Sequence, residues 1–163
     1  MTIRVIGSAV LLVVVSNCSL GGDGPTAALQ DGDVTLTTSA NSYEWDSGTG
    51  IEATITNHGE RPYFARLGDG FNGDMEQAVL FAAAGSDGYV ERRDGDSWVP
   101  LERLFLIEGV RFVVLKPGSS YTLFAHLTGR KVTGTHRLRV DYFDSEGGGA
   151  KVGEAISPHF VVR

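Results

Sequence analysis

A dense run of oxygen-bearing side chains lies near the middle of the chain. From Asp69 to Glu76 the sequence reads Asp-Gly-Phe-Asn-Gly-Asp-Met-Glu, and carboxylate and amide oxygens are the ligands that Ca²⁺ prefers. The run lacks the regular ligand spacing of an EF-hand loop, so a solvated loop is the first interpretation and a loose calcium site the alternative. The segment from Gly68 to Gly88 is long, polar and irregular, as functional loops often are. The predicted binding residues in it are Asp69, Phe71, Asn72 and Asp74.

The other reactive side chains do not form a recognisable catalytic or metal-binding pattern. The histidines have no neighbour at metal-ligand spacing, and a zinc site would need distant carboxylates; they are His58, His126, His136 and His159. No Gly-x-Ser-x-Gly nucleophile elbow occurs, and the glycine-rich stretches are not followed by a helix start that could hold a phosphate. We therefore expect no catalytic site, no metal and no cofactor, so the protein is predicted not to be an enzyme.

Aromatic side chains supply the remaining indication of function. Several of them lie near turns or on short strands and could form a sugar-binding or peptide-binding face; they are Tyr43, Trp45, Phe71, Tyr89 and Trp98. The first interpretation is nevertheless that Trp98 and several others belong to the core, and the binding face is the alternative. The arginine pairs Arg92–Arg93 and Arg137–Arg139 are expected on solvated strand faces, where charge discourages edge-to-edge aggregation.

The first segment of the chain has the layout of a secretory signal. Arg4 gives a positively charged start, Val5 to Val15 is an almost continuous apolar run, and small polar residues follow. The run is too short to cross a bilayer, which needs about 20 apolar residues. Val15-Ser16-Asn17-Cys18 resembles the lipobox of bacterial lipoproteins.

That resemblance implies cleavage before Cys18 and attachment of a diacylglyceryl group to its thiol. Two or three acyl chains would anchor the protein almost irreversibly. Ser19 follows the cysteine, and by the same resemblance this favours an outer-membrane location in a two-membrane organism. The alternative is an ordinary signal peptide cleaved near Cys18, which would leave a chance thiol. Residues from Ser19 to Asp33 are rich in Gly, Asp, Pro and Ala and are expected to form a flexible tether.

Charge and composition exclude some classes of function. The formal net charge is −6, and an acidic domain repels the phosphate backbone, so nucleic-acid binding is not expected. The same charge opposes electrostatic attraction to anionic lipids, which leaves membrane attachment to a covalent anchor. Apolar residues make up 42% and charged residues 21% of the chain, proportions that are typical of a folded domain.

From Val34 onward the chain alternates apolar and polar residues in short runs separated by turn residues, which predicts an all-β fold. Val34–Thr38 is the first predicted strand, and the run from Ile156 to Val162 is the last. Asp94-Gly95-Asp96-Ser97 predicts a hairpin connection, and Pro117-Gly118 predicts the centre of a type II turn. Counting gives seven to nine strands, the spacing of an antiparallel β-sandwich.

Three blocks of sequence resemble bacterial immunoglobulin-like domains. They are the strand and turn of residues 55–63, the proline-glycine turn of residues 115–121, and the strand of residues 134–140, in which His136 stands where the family usually has Tyr. The resemblance implies an immunoglobulin-like β-sandwich and says almost nothing about activity. The predicted organisation is a lipoprotein signal peptide at 1–17, a flexible tether at 18–33 and the sandwich at 34–163.

We therefore expect a lipid-anchored domain of the cell envelope that acts as a binding or structural accessory module. Its partners would be the membrane, through Cys18, and an unidentified protein or glycan. A protease-inhibitor-like module that presents an exposed loop is one alternative. A calcium-dependent ligand binder that uses the Asp69–Glu76 loop is the other.

Overall fold

The computed structural model describes residues 32–45, 50–69, 79–80, 87–101, 110–126, 131–147 and 149–163. Every regular element in this part of the chain is a strand. The strands are β1 Val34–Thr38, β2 Ser42–Tyr43, β3 Gly50–Asn57, β4 Tyr63–Asp69, β5 Val79–Leu80, β6 Gly88–Asp94, β7 Ser97–Pro100, β8 Val110–Leu115, β9 Ser120–His126, β10 Gly134–Phe143, β11 Lys151–Ile156 and β12 Phe160–Val162. Within these ranges no helix is long and apolar enough to cross a membrane.

The first sheet has the strand order β1-β3-β9-β5-β4-β8. Its neighbours are antiparallel, except that the short β5 lies parallel to β9 through the pair Leu80 and Phe124. Side chains alternate between the two faces of a strand, and in β3 this alternation buries Ile51, Ala53 and Ile55. This sheet therefore has one core face, as its alternating sequence predicts.

The second sheet is built around β10, the longest strand. One edge of β10 pairs with β6, which in turn pairs with β7. The other edge pairs with β12 near its start and with β11 near its end, and β2 adds to β12 in parallel. Four side chains of β10 point inward and are buried; they are His136, Leu138, Val140 and Tyr142.

The two sheets pack face to face and form a β-sandwich. A single pair, Phe143 with Phe64, joins β10 to β4 across the boundary between the sheets. The core lies between them, and its largest fully buried side chains include Tyr63, Phe160, Leu36, Ile51, Leu123 and Leu138. The predicted all-β antiparallel sandwich is confirmed.

The strand directions define two ends of the sandwich. The end where β1 begins, which we call the proximal end, also carries the turns 57–62 and 116–119, because Val34 pairs with Asn57 and Thr56 pairs with Ser120. The opposite end, which we call the distal end, carries the last residues of β4 and β9, the first residues of β3 and β8, and the hairpin turn at Gly95. The residues directly before β1 and the hairpin therefore lie at opposite ends of the domain.

The predicted turns are found where the sequence places them. Gly118 has a φ of 69°, and the Ser119 amide donates to the Lys116 carbonyl oxygen at 3.1 Å, as a type II turn requires. Gly95 has a φ of 58° in the connection between β6 and β7. Both positions need a left-handed backbone, which glycine adopts without steric cost.

Two predictions about the strands need correction. The described residues form twelve strands rather than seven to nine, because β2 and β5 are two-residue strands too short for a periodic pattern to reveal. The predicted last strand, Ile156 to Val162, is divided into β11 and β12. Ser157 causes the division: its amide and hydroxyl pair with the backbone of Leu138 at 2.9 and 2.8 Å, and Pro158 follows it.

Candidate functional site

The residues predicted to bind a ligand lie mostly outside the described residues. This holds for Phe71, Asn72 and Asp74, and Cys18, the predicted lipidation site, also lies outside them. Asp69 is the last residue of β4, at the distal end, where its backbone pairs with Val79. In the described part of the chain, no group of three or more His, Cys, Asp or Glu side chains could hold a metal ion.

The predicted aromatic residues have different environments. Tyr43 is buried and packs edge-on against Phe160, with ring centroids 5.3 Å apart, and Trp45 packs against the core. Tyr89 and Trp98 are only partly buried and lie on β6 and β7 of the second sheet. Of the predicted aromatic residues that the structure describes, Tyr89 and Trp98 are therefore the two that lie on an accessible face of the sandwich.

A buried carboxylate, Glu91, organises the outer face of the second sheet. Its side chain is only 1% exposed, although the alternation of β6 directs it away from the core. Arg137 Nε donates to Glu91 Oε2 at 2.7 Å, and Arg139 lies 2.9 Å from Glu91 Oε1. Both carboxylate oxygens are therefore occupied by guanidinium groups, which leaves neither available as a general base.

Each of these two arginines also stacks on an aromatic ring. Arg137 Cζ lies 4.4 Å from the centre of the Trp98 ring, and Arg139 Cζ lies 4.3 Å from that of Tyr89. Guanidinium groups attract the negative face of an aromatic ring, most strongly when both are partly removed from water. We call the set Glu91, Arg137, Arg139, Trp98 and Tyr89 the arginine ladder.

The ladder corrects the expectation that Arg137 and Arg139 decorate a solvated face. Their side chains are only 18% and 22% exposed. A buried charge is stable only when it is paired and hydrogen-bonded, and Glu91 meets both conditions. Arg93, which lies on β6 like Glu91, does fit the expectation, since its side chain is 51% exposed and lies 3.9 Å from Asp96.

The ladder continues into a line of alternating charges along β10 and β11. Arg139 lies 3.4 Å from Asp141, which lies 3.1 Å from Lys151, and Lys151 also contacts Glu154. The Lys151 ammonium lowers the pKa of the Glu154 carboxyl, and the hydrogen bond with Glu154 raises the pKa of Lys151. Three acidic and three basic groups alternate here, so this line of side chains carries no net charge although the chain is acidic.

A second ion pair joins the two sheets. Arg66 of β4 donates from Nε and Nη2 to the two Asp87 carboxylate oxygens at 3.0 and 2.8 Å, and the Arg66 amide donates to Asp87 Oδ2 at 2.9 Å. The Asp87 carbonyl oxygen accepts from the Asp141 amide of β10 at 2.9 Å. Asp87 raises the pKa of Arg66 through this hydrogen bond, and the pair fixes the sheets against each other next to the Phe64–Phe143 boundary.

The last residue of the predicted tether is fixed to the proximal end. The Tyr63 hydroxyl donates to the Asp33 carboxylate, and the His58 amide donates to the Asp33 carbonyl oxygen at 2.7 Å. A Cβ at Gly59 would lie 2.8 Å from the Asp33 side chain, so only glycine fits beside it. The chain that precedes Val34 therefore joins the sandwich at the proximal end.

The histidines are found in separate structural roles. His58 shares a 2.8 Å hydrogen bond with Thr35, and the His159 ring packs 4.8 Å from Trp98. His136 is completely buried beside Phe160. His126 belongs to the backbone of β9.

Comparison with known proteins adds no assignment, because no protein-family model matches the chain and no curated protein matches it either.

The sequence patterns did not identify Glu91 and Asp87 as organising residues. Glu91 looks like an ordinary outward residue of an alternating strand, and only the pairing of β6 with β10 brings Arg137 and Arg139 beside it. The surplus of arginine at alternate positions on β10 was the one signal that could have indicated a buried acidic partner.

Proposed function

We propose that the chain is a lipid-anchored module of the bacterial cell envelope that acts by binding another envelope component or as a structural accessory. Attachment would be through Cys18, which follows a signal-like segment and resembles a lipobox cysteine. The observation that carries this proposal is the signal-like segment that ends in Val15-Ser16-Asn17-Cys18. The position of Asp33 adds that the residues directly before β1 join the domain at the proximal end. An anchored domain would then present its distal end away from the membrane.

The distal end is the proposed contact surface. The predicted binding segment begins there, since Asp69 ends β4 at the distal end. The opposite arrangement, with Asp69 beside the tether, would have directed this segment towards the bilayer. The partner would be a protein or a glycan of the envelope rather than a nucleic acid, because the chain is acidic.

The anchor is tested by the intact mass of the protein extracted from membranes of its host. We expect the wild-type protein to begin at Cys18 and to carry the mass of a diacylglyceryl group with or without a third acyl chain. The Cys18→Ala variant should lack this mass and leave the membrane fraction. An unmodified wild-type protein that begins at another residue would contradict the proposal.

The orientation is tested with new cysteines at the two ends of the domain. Since the chain has one cysteine, which acylation would block, Asp96→Cys at the distal end and Lys116→Cys at the proximal end can be labelled selectively. Both native side chains are exposed, so the two sites are matched in the free domain. In the membrane-bound protein we expect a bulky maleimide to label the distal site several-fold faster. Equal rates would show that the domain has no preferred orientation.

A further inference from the structure

His136 lies where β6, β10 and β12 meet. The strand register places it opposite Arg92 of β6 and opposite Phe160 of β12. Its side chain is 0% exposed, and its ring stacks on Phe160 with centroids 5.9 Å apart and an angle of 20° between the planes. The imidazole is therefore part of the contact that holds the C-terminal strand on the sheet.

The hydrogen bonds of His136 fix where its proton lies. Nδ1 is 2.9 Å from the Gly134 carbonyl oxygen, and a carbonyl only accepts, so Nδ1 carries the hydrogen. Nε2 then carries the lone pair of the neutral ring, and it is buried with no hydrogen-bond partner among the described residues. A second proton would have to sit on Nε2, as a buried N–H with no acceptor.

The surroundings also oppose a positive charge on this ring. Burial is the main cause that lowers the pKa of His136, and the charge of Arg92 lowers it further, against the raising effect of the Gly134 carbonyl. From β12 the ring meets the apolar Phe160, behind which lies Tyr43 of β2. The charged group that acts on His136 is therefore a cation.

The elements beyond His136 are short, and they are held by a few backbone hydrogen bonds and by the buried side chains of Phe160, Val162 and Tyr43. β12 is three residues long and β2 two. Backbone hydrogen bonds of 2.9 to 3.0 Å join them: the Val161 amide to Asn41, the Arg163 amide to Tyr43, and the Trp45 amide to Arg163. Such short strands at the edge of a sheet can open locally while the rest of the domain stays folded.

We propose that His136 is an acid-sensitive joint, whose protonation releases β12 and β2 from the second sheet while the first sheet remains folded. A proton enters the ring once β12 has separated from β10 and Nε2 has reached water. The proton then holds the joint open, because closing it would bury the unpaired charge.

The direction of the pH effect follows from the lowered pKa. Above the ordinary histidine value of 6.5 the ring is neutral in the open and closed states, so pH has no effect on opening through this group. As the pH falls below that value, the open state binds the proton first, and the closed state loses stability. At pH 5.5 the opening equilibrium should increase by about tenfold relative to pH 7.5.

Hydrogen exchange of the whole chain tests this proposal. After correction for intrinsic rates, the amides of Phe160 and Val162, the β12 residues paired with His136 and Gly134 of β10, should exchange about tenfold faster at pH 5.5 than at pH 7.5. Their exchange should respond to about 1 M urea less than that of an amide released only by global unfolding, since a local opening exposes part of the core, Phe160 and Val162 included. The Asn57 amide, which donates to Ser119 in the first sheet, should exchange more slowly and respond more strongly to urea. Equal urea dependence at all three amides would overturn the proposal.

Substitutions identify the responsible group. His136→Phe keeps an aromatic ring beside Phe160, and the exposed Gly134 can give its carbonyl to water, so the tenfold change should disappear. Arg92→Gln, which does not alter the ring itself, should reduce the change because protonation of the closed state becomes easier. His58→Gln is the matched control, since His58 bonds to Thr35 of the first sheet, at the opposite end of the domain, and it should leave the change intact. An unchanged pH response in both the His136 and Arg92 variants would exclude His136.

Discussion

The two faces of β10 bury ionisable groups in opposite ways. On the outer face, Glu91 is buried but has a guanidinium on each oxygen. On the inner face, His136 is buried with one hydrogen bond, and the described part of the chain offers no partner to its Nε2. The difference shows that burial alone does not decide what an ionisable residue contributes. A fully paired charge holds a structure together, whereas a half-paired imidazole makes it sensitive to acid.

The comparison also separates two kinds of rigidity. The arginine ladder joins β6, β7 and β10 through charged hydrogen bonds and stacked rings, so the outer face is bound together across three strands. The contact at His136 is a ring stack carried by a three-residue strand, in which Phe160 and Val162 are buried. We therefore expect the outer face to resist perturbation and the C-terminal strand to open first.

The largest expected effect comes from removing the charge at the centre of the ladder. Glu91→Ala leaves Arg137 and Arg139 without their partner while both remain largely buried, and breaking such a pair costs about 3 kcal/mol of unfolding free energy. Urea unfolding at pH 7.5 measures this loss.

Glu52→Ala is the matched control for this substitution. Glu52 is also on a strand and points outward, but its side chain is exposed, so its removal should change the stability by less than about 0.5 kcal/mol. Equal losses in the two variants would mean that the ladder contributes no more than any outward residue, and the contrast between the faces of β10 would fail.

Features that depend on a few neighbouring residues could be predicted from the sequence, whereas features that depend on residues far apart in the chain could not. Strand β1 was predicted at its observed bounds, and the turns at Gly95 and Gly118 were predicted because each depends on a few neighbouring residues. The strands β2 and β5 could not be predicted, since a two-residue strand has no period and forms only because its neighbours provide an edge.

The ladder could not be predicted for a related reason. Glu91 and Arg137 are 46 positions apart in the chain, and the sequence does not say that β6 pairs with β10. When that pairing is unknown, the alternation of polar and apolar residues predicts that Arg137 and Arg139 are exposed to solvent. Cys18 and the Asp69–Asp74 run depend on local motifs instead, and Cys18, Phe71, Asn72 and Asp74 lie beyond the described residues, so these assignments stay predictions.

A smaller effect should follow from changing the geometry of the ladder while keeping its charge. Arg137→Lys retains a cation near Glu91 but loses the planar group that stacks on Trp98, which should cost about 1 kcal/mol. The emission of Trp98 should also move to longer wavelength as water reaches the ring. Arg93→Lys, at a half-exposed position on β6, should change neither property. If Arg137→Lys behaves like this control, the stacking contributes nothing beyond charge.

The smallest effect is expected at the solvent-exposed end of the charged line. Lys151 has a side chain 42% exposed and pairs with Asp141 and Glu154, and ion pairs in contact with water contribute about 0.5 kcal/mol. Lys151→Met should lose this amount at low salt and nothing at about 0.5 M salt, where the pair is screened. Because Lys151 lowers the pKa of Glu154, its contribution is present above the ordinary glutamate value of 4.5 and is lost as the pH falls through the lowered pKa. Unfolding of both proteins between pH 7 and pH 3 should therefore converge at the acid end. A difference in stability between the two proteins that persists at pH 3 would mean that Lys151 stabilises the domain through packing of its methylene groups. The rigid part of this face would then extend beyond the arginine ladder to Lys151.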